Sequence, residues 1–393
     1  MDITNQLRLA QTFHIRGFVR QRLEGLQTRL ALDEEYWLAI RHPAEVYAAG
    51  AALLTSTDPA FAGRLPPERE LQWREFRAYV RQAESFYRSA AALPWKSSPL
   101  NYYYSFMNLA KALAVARGML APVAAHITRA LQHGLSARIV PGAPGAPDTW
   151  QLTVRDANHI FGLLYQATVA PVAMPATTEL DARDLLGYVT AIDWQLRQAG
   201  RAATISWHPC YWVILEAGNS AWDLVGVHRG ANLNRLPGLD PLYQELTHDS
   251  VKQLVRETLG LQSIQARSIR FLQRTTPIVL APPDRSVQRL EDTLVAAVPN
   301  CVFEYLDGTT FHFCFGMPYA TGTGSHPMSE LAAAYAVMYF LSSLVRYHPD
   351  YMDRIAESTD AWLIESFVKS APLLLLRQMV AASLGYTLII ENV

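Results

Sequence analysis

The sequence predicts an α+β protein that is predominantly helical, with a helical body built from both ends of the chain around a β-containing middle. Three observations predict it. Apolar residues recur at helical spacing from about Glu68 to Ala92, and a nearly all-apolar run follows as far as Arg117. Alternation nearer to strand period takes over from Ala203 to Val227, with Ile205, Trp207, Trp212, Ile214, Leu224 and Val225. Helical spacing then returns from Ser329 to Leu384.

Composition bounds the answer. Half of the 393 residues (50%) are apolar and 18% are charged, which suits a buried core and not a disordered chain. A formal net charge of −1 gives no bulk attraction to nucleic acid or to an acidic membrane. The opening MDITNQLRLAQTFH has no apolar run of the secretory type. The longest apolar stretch, Leu331 to Val345, falls short of the ~18–20 residues of a membrane span. Cys210, Cys301 and Cys314 are the only cysteines, a usage that fits a reducing compartment. The expectation is a cytoplasmic protein without a membrane partner.

Residues up to about Arg64 read as short helices, and Leu65-Pro66-Pro67 interrupts them. Trp73, Phe76, Val80, Ala83 and Tyr87 then form the apolar face of a strong amphipathic helix. Ser98 is the expected N-cap of the next helix, with Pro99 at its first position and Gly118 just past its end. That helix is apolar almost all round, with Asn101, Tyr104, Ser105, Asn108 and Lys111 on one polar side. PGAPGAP (Pro141 to Pro147) is a turn-rich connector. Further helices are expected at Asp156 to Leu164, Asp181 to Gln198 and Asp240 to Leu259, and strands at Ile278 to Leu280. The terminal helices should break at Pro349 and Pro372. The expected parts are residues 1–200, helical; 201–320, α+β; and 321–393, helices packing back on the first part.

The segment Cys301 to Phe315 reads as a hairpin with Asp307-Gly308 as a two-residue turn. That turn would pair Glu304 with Phe311, Phe303 with His312 and Cys301 with Cys314. Facing cysteines allow a redox pair, or a zinc site with His312 and a fourth ligand; two small buried thiols are the plainer reading. No metal is assigned.

Five stretches have a joint resemblance: SSPLNYYYSFMNLAKAL, QHGLSARI, VRDANHIFGLL, LDARDLLGYV and YAVMYFLSSLVRYHPDYMDRI. Their order and spacing are similar to the bacterial YaaC-like family, from about Ser98 to Leu384. The resemblance implies a bacterial cytoplasmic protein and supplies no catalytic residues. It draws attention to Lys111, His133, Gly134, Arg346 and Tyr347, which lie inside the matching stretches.

Three constellations are candidate ligand sites. Tyr104, Asn108 and Lys111 form a polar stripe on an apolar helix, either its exposed face or one wall of an anion pocket. Arg346 and Tyr347 end a long apolar helix, where cations complement the helix dipole and an arginine can also hold a carboxylate or phosphate. Gly322, Gly324, Ser325 and His326 form a Gly-rich loop before a helix start, either a plain capped loop or an anion cradle; it lacks the P-loop ending. His133 joins the candidates through the resemblance. Set against the arginine–histidine motif of HEPN-type nucleases, neither the pair Arg129 and His133 nor the pair Arg117 and His126 has a spacing that resembles it well. No HExxH or CxxC is present and no catalytic residue is assigned. Two functions follow. One is a non-catalytic binding or assembly protein that recognises another protein or a nucleotide-like anion, with self-association left open. The alternative is an enzyme on a nucleotide or nucleic acid, for example a HEPN-like nuclease in phage defence or stress response. No cofactor is assigned.

Overall fold

The computed structural model describes residues 8–10, 18–22, 32–120, 131–144, 147–156, 158–169, 174–201, 205–217, 220–228, 243–245, 253, 269–275, 278–279, 301–305, 311–316, 319–321, 324–326, 328–385 and 387–391. The fold is α+β and predominantly helical. It has two units: Met1–Gly17 with Ile205–Pro318, and Phe18–Thr204 with Tyr319–Val393.

The second unit is helical. It begins with α1 (Leu32–Glu45) and α2 (Tyr47–Thr57). α3 (Pro66–Ala91) follows; its prolines stand where the helix has no N–H bond to lose. The side chain of Glu68 accepts the Leu65 N–H at 3.1 Å. Trp73, Phe76, Val80, Ala83 and Tyr87 are buried, as their spacing predicts.

α4 (Ser98–Ala116) is the central helix. Ser97, one residue earlier than predicted, holds the N-cap position, and Ser98 is already helical. At the other end Gly118 takes φ 64°, and the N–H groups of Gly118 and Met119 donate to the carbonyls of Val115 and Ala114 at 3.2 and 3.0 Å. This double closure satisfies carbonyls that the helix leaves open. The glycine is also required by close approach, since a Cβ there would lie 2.5 Å from the Asp58 side chain. Asp58 is buried in an ion pair with Arg64 at 2.6 Å, and Gln72 donates to both Asp58 and the Val115 carbonyl.

α5 (Ile160–Thr168) begins later than predicted, because the Asp156 carboxylate accepts the Asn158 N–H at 2.8 Å and holds that stretch in a turn. The expected helix from Asp181 to Gln198 is divided. Asp181 ends a short strand and caps α6 (Ala182–Leu185), and 3₁₀ turns lead to α7 (Asp193–Gln198). α8 (Glu330–Tyr347) is capped by the Ser329 hydroxyl, which accepts the Ala332 N–H at 3.1 Å. α9 (Pro349–Ala356) starts at its proline, as predicted. α10 (Ala361–Leu384) does not break at Pro372. Val368, Ala371, Leu375 and Leu376 around it are buried, so packing outweighs the lost backbone bond. α10 is long and apolar enough to cross a membrane, but 72% of its most apolar window is buried inside the fold, which marks a core helix.

α4 packs against α3, α8 and α10. Leu109 of α4 and Met338 of α8 are fully buried, and these two apolar helices pack against each other in the core. A three-stranded antiparallel sheet, Leu135–Val140, Thr149–Val154 and Glu179–Asp181, belongs to the same unit. Phe18–Arg22 and Thr387–Glu391 pair in parallel.

The first unit is an eight-stranded antiparallel sheet built on Ile205–Ala217 and Ser220–His228, where the sequence alternates. Tyr243–Glu245, expected within a helix, is a strand that pairs with Ile269–Arg274. The hairpin exists, but its register is one residue from the prediction. Tyr305 faces Phe311, Glu304 faces His312, Val302 faces Cys314 and Cys301 faces Phe315. Residues 306–310 separate the last paired positions, and Asp307-Gly308 lies there, outside the described residues. A connection of odd length cannot keep the register of a two-residue turn. Phe311–Gly316 is also bound on its other edge to Ile205–Cys210, so its register answers to two neighbours. Cys301 and Cys314 therefore occupy ladder positions of opposite parity, and the facing pair behind the redox and zinc readings is absent. Among the described residues no group of histidine, cysteine and carboxylate side chains could hold a metal.

Candidate anion site

Two of the three constellations meet. They meet at His133, which stands between α4 and α8. The backbone fixes it first. The carbonyls of Gln132 and His133 accept the N–H groups of Ile160 and Phe161 at the start of α5, both at 3.2 Å. Those are donors that a helix N-terminus leaves free. Gly134 follows at φ 81°, and the chain turns there into the strand Leu135–Val140. A Cβ on Gly134 would come within 3.1 Å of both His133's neighbour across the turn, His159, and the Phe161 nitrogen.

The imidazole lies among tyrosines. Its ring centroid is 5.5 Å from Tyr103 on α4 and 5.8 Å from Tyr339 on α8. The Tyr103 hydroxyl and His133 Nδ1 are 2.7 Å apart. The fully buried Tyr335 interacts with the Tyr103 hydroxyl but makes no complete hydrogen bond. Burial holds Tyr103 well above the usual phenol range, so it keeps its proton.

Lys111 and Arg346 supply the charge. Lys111 is half-buried on α4, with its ammonium 5.4 Å from the centroid of the Tyr79 ring. Burial lowers its pKa, and no ion pair offsets this among the described residues. Arg346 donates to the Tyr104 hydroxyl at 2.9 Å and lies 5.1 Å from the Tyr347 ring centroid. The predicted partner was a carboxylate, a helix-end carbonyl or an anion; a neutral hydroxyl leaves the guanidinium charge uncancelled. His133 is depressed below its ordinary value by burial first, then by the charges of Lys111 and Arg346. All three groups thus share one electrostatic neighbourhood, and the arrangement offers donors and positive charge to an anion.

The other candidates fall elsewhere. Asn108 is buried, donates to the Tyr104 carbonyl at 2.8 Å, and has an unpaired Oδ1 among the described residues. Its helix presents no continuous polar face: Ser105 is buried too. Gly324, Ser325 and His326 form a strand paired with Tyr319–Thr321, and Gly322 lies outside the described residues. This hairpin precedes the start of α8, whereas Arg346 is in its last turn. The two ends of that helix are about 25 Å apart at ~1.5 Å per residue. The Gly-rich hairpin and Arg346 thus belong to different places. Arg129 and His126 lie outside the described residues, and Arg117 donates to the Ala382 carbonyl at 3.0 Å.

Comparison with known proteins fits this geometry into a family. The family model described as YaaC-like Protein matches residues 68–156 and 233–382, more than half of the chain. The chain belongs to the YaaC-like family. The matched residues of this YaaC-like chain include Tyr103, Lys111, His133, Tyr339 and Arg346. No curated protein and no solved structure matches it. Sequence reasoning missed Tyr103, Tyr335 and Tyr339. The available signal was chemical: a tyrosine inside an otherwise apolar helix must find a partner for its hydroxyl.

Proposed function

We propose that this YaaC-like protein is a non-catalytic binding protein that recognises a small anion between Lys111, His133 and Arg346. One observation carries the reading: a half-buried lysine without an ion-pair partner among the described residues shares its surroundings with an arginine whose charge is also uncancelled. Two cations brought together without an acid repel each other and lose hydration, and an anion removes both penalties. The sparse cysteine usage supports a cytoplasmic setting.

A second reading, an enzyme acting on a nucleotide or nucleic acid, is favoured by His133 itself. Its depressed pKa keeps it neutral near neutral pH, as a general base requires. Against that role, one of its two ring nitrogens, Nδ1, is already engaged by the Tyr103 hydroxyl. Roles in phage defence or stress response belong to this second reading.

A thermal-shift series tests the proposal. At constant ionic strength, inorganic phosphate is expected to raise the melting temperature of the wild type by stabilising the folded state. Lys111→Met should abolish that rise. Equal response to phosphate and chloride, or an undiminished rise in Lys111→Met, would overturn it.

A further inference from the structure

The two cations sit in an aromatic frame. Tyr79 packs against Lys111, and Tyr104 receives the Arg346 hydrogen bond. Phe86 and Tyr104 stack with centroids 5.3 Å apart at 29°. Tyr347 lies beside Arg346 and is 63% exposed, the second most exposed large apolar side chain among the described residues after Leu65. An exposed ring next to a cation has no role in the core, and only part of its surface is covered by the guanidinium. It offers a face for a flat, π-rich group.

Charge narrows the ligand. With His133 neutral, Lys111 and Arg346 supply two positive charges, which match the two negative charges of a phosphate monoester. Resting on the anion site argued above, we infer that the ligand is a nucleoside monophosphate, its phosphate held by Lys111, Arg346 and His133 and its base stacked on Tyr347. A diphosphate or triphosphate would bring more negative charge than these groups neutralise. A polymer is not favoured, since the net charge of −1 supplies no extended basic track.

Calorimetric titration tests this with four probes at fixed ionic strength: inorganic phosphate, a purine nucleoside, its 5′-monophosphate and its triphosphate. The monophosphate is expected to bind roughly tenfold or more tightly than inorganic phosphate, the gain typical of one stacked base. Tyr347→Ala should bring its affinity down to that of phosphate, while Tyr347→Phe should keep it high. The exposure of Tyr347 makes unfolding of either variant unexpected, and circular dichroism checks it. If phosphate binds and the monophosphate binds no tighter, or if Tyr347→Ala leaves the monophosphate unaffected, the nucleotide inference fails and the anion site stands. Tighter binding of the triphosphate than the monophosphate also overturns the inference. If neither phosphate nor monophosphate binds, both readings fall.

Discussion

The Tyr103 hydroxyl lies 2.7 Å from Nδ1 of His133, and this contact joins the central helix to the histidine that feels the charges of both candidate cations. It ties a buried hydroxyl of α4 to a half-buried ring. Tyr103→Phe should cost about 1–3 kcal/mol in urea unfolding, because it leaves the half-buried Nδ1 without its partner. Phosphate affinity should fall as well. A variant as stable as the wild type with unchanged phosphate binding would mean that the hydrogen bond positions nothing.

Gly134 is the backbone condition for that contact. Its φ of 81° is one that a side chain resists, and a Cβ would press on His159 and Phe161 at 3.1 Å. Gly134→Ala is expected to destabilise by about 1–2 kcal/mol from the backbone conformation alone, and by more if Phe161 cannot yield. The denaturation midpoint measures it. No loss of stability would show that the turn takes another conformation.

Protonation of His133 should be visible in stability. Its folded pKa is below its ordinary value. The unfolded chain therefore binds the proton first as pH falls through about 6.5, and stability drops with acidification until the folded pKa is passed. Stability thus rises with pH in that window. The groups that face the ring are Lys111, Arg346, Tyr103 and Tyr339, none of them acidic. Melting temperatures between about pH 5 and pH 7, compared with those of His133→Gln, test the sign; an identical pH slope in the variant would contradict it.

Arg346 separates binding from stability. It is exposed, and its partners are one hydroxyl and one ring, so Arg346→Met should change stability by no more than about 0.5 kcal/mol, as surface substitutions usually do. The sequence predicts a carboxylate, a helix-end carbonyl or a bound anion as its partner, and so a cost above that of a surface change. Phosphate binding should be lost in the same variant. A large destabilisation with intact binding would reverse the assignment.

The core behaves differently. Leu109 is fully buried on α4, and Leu109→Ala should cost about 2–5 kcal/mol. Leu65 is 66% exposed, and Leu65→Ala provides the near-neutral comparison. Equal midpoints for the two variants would show that α4 is peripheral.

What the sequence revealed follows the reach of its signals. The stripe Trp73 to Tyr87, the Gly118 terminus and the start of α9 at Pro349 were legible because each depends on residues within a few positions. Pro372 was misread because burial around α10 is a tertiary fact that propensity does not contain. The hairpin was legible as two apolar runs, but its register depended on a third strand, Ile205–Ala217, far away in sequence. The site shows the same limit. Lys111 and Arg346 stood out as charges on apolar helices. Their convergence on His133 required α4 and α8 to pack, and the tyrosines between them had been counted as core.

The most direct test of the central claim is the position of an anion. Crystals grown with tungstate, a heavy mimic of phosphate, would reveal it by anomalous scattering. The account predicts a peak within hydrogen-bond reach of Lys111 Nζ, the Arg346 guanidinium and His133 Nε2. An ordered site with no peak there, or with a carboxylate paired to Lys111, would contradict it.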